Sequence, residues 1–134
     1  MASHTDRTVT LASPINVDRG LHPGDGKKAW HTWLAAAIKF GASDLIVKAD
    51  LRPRIRHRGV LKDLETEVVT RDLMFQVAKD MLDEGQLDMF RHKGSVDLAY
   101  DYDDRNRFRV NLFMARGKPA VAARLITSNI KKFE

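Results

Sequence analysis

RNRFRVNLFM (105–114) alternates without a break. Phe108, Val110, Leu112 and Met114 fall on one side of an extended chain, and Arg105, Arg107, Arg109 and Asn111 on the other. A period of two with one apolar and one charged side is that of an antiparallel strand with one face buried and one in water. The segments on either side repeat it. SVDLAYDY (95–102) lines up Val96, Leu98, Tyr100 and Tyr102, and PAVAARLI (119–126) lines up Val121, Ala123 and Leu125. Three such runs joined by short turns predict a meander.

The register follows from the faces. A slip of one residue would turn an apolar set outward, so the even positions of 105–114 must meet the odd positions of 119–126, with the apolar sides together. A turn at Arg116-Gly117 that sets Ala115 opposite Lys118 satisfies this, and it places Arg109 directly opposite Arg124. In the preceding hairpin, a loop over 103–105 sets Asp101 against Arg107 and Ala99 against Arg109. Arg107 thereby gains a neutralising partner, while Arg109 faces Arg124, with Asp97 only diagonally near. Like charges directly opposite in a ladder are unfavourable by up to roughly 1 kcal/mol. Ala99, Ala120 and Ala122 leave room above the pair. An anion would relieve the repulsion, and guanidinium forks suit phosphate oxygens. The competing reading is a solvated arginine face.

Upstream, Trp30, Trp33, Leu34, Ala37 and Ile38 recur at helical spacing, with Gly41 as a stop. DLIVK (44–48) is a short strand, and RPRIRHRG with VLKDL makes a hairpin turning at Arg58-Gly59. Thr70 caps a second helix with the stripe Leu73, Met74, Val77, Met81 and Leu82, ending near Gly85. QLDMFRHK is a third, stopped by Gly94. Strands, then helices, then a meander predict an α+β domain with a mainly antiparallel sheet. Residues 1–26 read as a disordered tail, and 27–134 as the domain.

The 134 residues carry no cysteine, which excludes disulfides and thiolate metal sites. Net charge +5 and pI 9.7 admit nucleic acid, nucleotide, anionic lipid or an acidic protein. His4, His22, His31, His57 and His92 are never paired at ligand spacing, and GDGKK (24–28) lacks the spacing of a phosphate loop. Neither a catalytic nor a metal site is expected in this chain. Arg52, Arg54, Arg56 and Arg58 share one side of an extended run. They read as the charged outer face of an edge strand rather than a specific nucleic-acid strip, because few aromatics are interleaved for base stacking.

Several strings occur together in order. They are GASDL (41–45), Pro53-x-x-Arg56-x-x-Gly59, Gln86-x-x-x-Phe90, Asp97 opening VDLAY, RFRVN-x-F (107–113) and the later Arg124. Over about residues 28–130 they resemble the N-terminal domain of PilT-like ATPases of type IV pilus twitching motility and type II secretion. The resemblance implies a PAS-like α+β domain preceding a RecA-like motor in a cytoplasmic homohexamer at the inner membrane. Its partners would be its own C-terminal motor domain, neighbouring subunits, and a pilus or secretion inner-membrane platform protein. ATP and Mg²⁺ would be bound mainly by the motor, with Arg109 and Arg124 leaning over the phosphates. Two departures stand out: Ile46 replaces a histidine common in the family, and Arg52, Arg54 and Arg58 are additional. The chain reaches Glu134 before any phosphate loop, so no hydrolysis is expected from it alone. The alternative is a stand-alone PAS-like sensory module for a small ligand or acidic partner.

Overall fold

Both periods in the sequence, two and 3.6, are realised where the spacing predicts them. The computed structural model describes residues 9–10 and 20–127. In chain order these form β1 (Val9–Thr10), α1 (Asp25–Lys39), β2 (Asp44–Lys48), β3 (Arg54–His57) and β4 (Val60–Glu65). Then come α2 (Arg71–Met81), α3 (Glu84–Lys93), β5 (Ser95–Asp101), β6 (Asn106–Ala115) and β7 (Lys118–Thr127). Six strands build an antiparallel sheet in the order β4-β3-β2-β7-β6-β5, and β1 adds parallel to the outer edge of β4. This is the expected α+β class, and its strand arrangement is compatible with a PAS-like domain.

The sheet has one covered and one open face. Leu45, Val47, Ile55, Phe108, Val110, Leu112, Val121 and Ala123 are buried together with Trp30, Trp33 and Leu34 of α1 and Met74 and Val77 of α2. The arginines alternate with them and so lie on the other side. Met114, expected on the apolar face, is at the strand's end and exposed.

The long hairpins turn at Arg58-Gly59 and Arg116-Gly117, as the register requires. All four residues have positive φ (53° and 80°, 56° and 80°), the geometry of a two-residue turn whose twist matches its strands. Thr70 accepts from the Leu73 amide at 3.1 Å and opens α2 as predicted. The helix stops at Met81 rather than near Gly85, because Leu82 is extended and Asp83 starts α3 with a capping box closed by Gln86.

The boundary expected at 26/27 falls inside α1, which begins at Asp25; most of the predicted tail lies outside the described residues. Gly24 brings no side-chain cap. Asp80 of α2 supplies one instead, accepting from the Gly24 and Lys27 amides at 3.1 and 3.0 Å. Gly26 permits this approach: a Cβ there would sit 2.5 Å from the backbone of Gln76 and Val77.

Candidate functional site

The open face carries a single row of side chains running across five strands. Arg56 of β3 pairs with Asp44 of β2, Asp44 with Arg124 of β7, Arg124 with Arg109 of β6, and Arg109 with Ala99 of β5. The facing of Arg109 and Arg124 is therefore as the register predicts. Directly opposed residues have Cβ atoms about 4.5–5.5 Å apart, so both guanidinium groups can reach one small anion. Ala99 and Ala122 keep the sheet surface low here, and a concavity of about 630 Å³ opens above the row. Ala120 is buried and lies outside it, in a separate hollow beside the Lys118–Asp50 ion pair.

The two arginines are not equivalent. Arg124 Nε donates to Asp44 Oδ1 at 3.0 Å, and Arg56 Nε stands 3.7 Å from Asp44 Oδ2. Ser43 Oγ also donates to Asp44 Oδ2, at 2.7 Å. Burial alone would raise the Asp44 carboxyl, but the hydrogen bonds from Ser43 and Arg124 and the charges of Arg124 and Arg56 outweigh it. They hold the group below its ordinary value, and it is ionised at neutral pH. Arg109, by contrast, has no acidic partner among the described residues. Asp97, expected diagonally near, instead accepts from Asn111 Nδ2 at 2.8 Å. Arg107 meets Asp101 at 3.3 Å, as the hairpin register predicts.

The strip of four arginines does not persist as a unit. Only Arg54 and Arg56 lie in β3, and each has an acid: Arg54 Nε donates to Asp63 at 2.9 Å, and Arg56 leans on Asp44. Arg58 belongs to the turn. The charged outer face is as anticipated, but the edge position is not: β3 lies between β2 and β4, which both pair with it, and Arg56 is drawn into the row.

Asp44 and Arg56 join the arginine pair through strand pairings that local spacing does not give. The β2–β7 pairing brings Asp44 from 80 residues away. A signal existed: with Leu45 and Val47 inward, Asp44 must share the open face with Arg124.

Among the described residues no helix is long and apolar enough to cross a membrane. No group of three or more His, Cys, Asp or Glu is arranged to hold a metal ion there either.

No family model and no curated protein matches the chain. Solved structures do. The pilus retraction motor PilT with bound ADP superposes with a TM-score of 0.68 at 29% identity, over 74% of this chain and 29% of that one. The Legionella pneumophila ATPase DotB gives 0.66 at 17% identity, over 92% of this chain and 34% of its own. The Yersinia pseudotuberculosis ATPase DotB gives 0.63 at 17%, over 75% and 30%. At that identity the DotB likenesses speak for the fold alone, and the chain spans about a third of the length of these structures. In fold, the chain matches an N-terminal domain of a PilT-like or secretion ATPase.

Proposed function

We propose that this chain is the regulatory and assembly domain of a hexameric pilus-retraction or secretion ATPase. In this reading Arg109 and Arg124 are presented to the phosphates of a nucleotide held by a motor domain. The observation that carries it is the opposed pair itself: two guanidinium groups over a hollow, on the uncovered face, one of them without a counter-charge. Opposed guanidinium groups on a sheet cost free energy, which Asp44 offsets for Arg124 but not for Arg109, and a phosphate arriving from another domain removes the remainder.

The chemistry this chain adds is electrostatic. Guanidinium groups fixed on a sheet stabilise charge that develops on a transferring phosphoryl group without reorganising at that moment. ATP and Mg²⁺ would be held mainly by the motor, and the domain would pass motion across the subunit interface as its arginines engage. A motor that shares its phosphate site with a neighbour's domain couples hydrolysis to assembly, which fits a cytoplasmic hexamer working against an inner-membrane platform protein.

The test uses the protein carrying both this domain and its motor. Arginines at phosphoryl charge contribute about 10³–10⁵ in rate in well-studied NTPases. Arg109→Ala should lower steady-state ATP turnover sharply, and Arg107→Ala, already neutralised by Asp101, should change it little. Equal turnover of Arg109→Ala and wild type would return the pair to a solvated face.

A second reading, a stand-alone module for a small ligand, draws on the size of the hollow. About 630 Å³ lies within the roughly 300–1,000 Å³ of small-molecule sites. Tight binding of a nucleotide or other small anion by this chain without any motor would favour it.

A further inference from the structure

The β3–β4 hairpin has a tip that the phosphate-site reading leaves unused. It turns at Arg58-Gly59, and the next two residues, Val60 and Leu61, are 56% and 39% exposed. They pair with His57 and Arg56, the last rungs of the ladder. The Ser43 amide donates to the Arg56 carbonyl at 2.9 Å, so the end of α1 lies beside the hairpin and brings Phe40, 37% exposed, to the same corner. Three cations accompany these apolar side chains. Lys39 stands 5.5 Å from the centre of the Phe40 ring, and Arg58 and Lys62 have no acidic partner among the described residues. The nearby acids are already committed, Asp63 to Arg54, and Asp44 to Arg124 and Arg56. The acids of the β5–β6 turn lie toward the opposite edge of the sheet, four strand spacings or about 19 Å from β3.

We propose that this tip, with the end of α1, is a contact for an anionic bilayer surface. Val60, Leu61 and Phe40 enter the headgroup boundary, and Lys39, Arg58 and Lys62 meet lipid phosphates. Val60 and Leu61 are consecutive in β4 and so point to opposite faces of the hairpin. No single rigid surface covers both, whereas a fluid interface surrounds a tip on either side. Apolar side chains that enter the boundary, with basic ones at the level of anionic headgroups, are the two terms that hold a protein on a membrane surface. A nucleic acid would use the charges and leave the aliphatic side chains in water. The contact is separate from the Arg109–Arg124 pair and stands whether or not that pair meets a nucleotide.

Co-sedimentation of this chain with vesicles tests it, using phosphatidylcholine alone and equal parts phosphatidylcholine and phosphatidylglycerol at physiological ionic strength. The chain should bind the mixed vesicles and not the neutral ones. Arg58→Asn, whose new side chain tolerates the positive φ of the turn, should weaken binding about fivefold, the effect of one basic side chain near an anionic surface. Arg52→Gln removes the same charge about 20 Å back along the hairpin, beyond the screening length, and should change binding little. Val60→Ser combined with Leu61→Ser should weaken it about tenfold, the effect of part-burying two aliphatic side chains. Circular dichroism checks that each variant is folded, and Arg58→Asn against Arg52→Gln decides the matter if the double variant is not. Absence of binding to the mixed vesicles would overturn the proposal. Equal losses in Arg52→Gln and Arg58→Asn would leave only general charge, and wild-type binding by the folded serine variant would remove the apolar contact; either overturns it. Tighter binding to soluble polyglutamate than to the mixed vesicles would also overturn it and assign the tip to an acidic protein.

Discussion

Arg124→Ala and Arg109→Ala truncate facing residues of the same type, yet they should move the stability of this domain in different directions. Arg124 donates to a carboxylate that is mostly covered, while its own side chain is largely in solvent. Exposed ion pairs contribute about 0.2–1 kcal/mol, and hydrogen bonds to charged groups about 1.5–3 kcal/mol. Because Arg124 is so exposed, solvent screening keeps its contribution near the lower range. Asp44 also keeps Arg56 and Ser43 after the truncation. A loss of about 1 kcal/mol is expected, which lowers the melting temperature by about 4–8 °C in a domain near this size. Arg109 has no such partner, and its removal relieves a repulsion of at most about 1 kcal/mol. Its melting temperature should stay level or rise slightly.

The pH dependence separates this account from a packing effect. The folded-state pKa of Asp44 is depressed, so the stabilisation it brings is present above its unfolded value of about 3.9. It is lost as pH falls through the folded value. The gap between Arg124→Ala and wild type should therefore be full at pH 7 and close in strong acid. Thermal unfolding followed by circular dichroism at both pH values measures it. A deficit in Arg109→Ala as large as that in Arg124→Ala, or a gap indifferent to pH, would refute the reasoning.

Three further outcomes follow from the fold. Gly26→Ala drives a methyl to 2.5 Å from the α2 backbone, so a loss of at least the roughly 1–3 kcal/mol of overpacking is expected in denaturant titrations; an unchanged midpoint would mean the helices are not held that close. Asp80→Ala strips the borrowed cap from the start of α1 and should cost about 0.5–2 kcal/mol by the same assay, whereas Asp80→Asn, which retains an acceptor, should cost less. His31 hydrogen-bonds the Tyr100 hydroxyl, and burial, then the Lys27 charge, hold its pKa below the ordinary value. Stability owed to its neutral form is present above about pH 6.5 and lost as pH falls through the lowered pKa, so His31→Gln should flatten the decline in unfolding free energy over that window; an identical decline in the variant would clear His31 of it.

Local rules made the meander and both turns legible, because alternation, face matching and Arg-Gly turns all act within a few residues of one another. The opposition of Arg109 and Arg124 followed from them, as did Arg107 with Asp101. What escaped lay in partners distant along the chain. The start of α1 depends on Asp80, 53 residues beyond Lys27, so a glycine-rich approach with no cap of its own read as tail. Asp44 reaches Arg124 only once β2 is set beside β7, a pairing that no turn links. Apolar parity alone would have narrowed it: Leu45 and Val47 point inward with Val121 and Ala123, which leaves Asp44 on the arginine face. One acid on that face changes the chemistry. Two equal arginines would be equally open to an anion, whereas here Arg109 stands without an acid and Arg124 is restrained by Asp44.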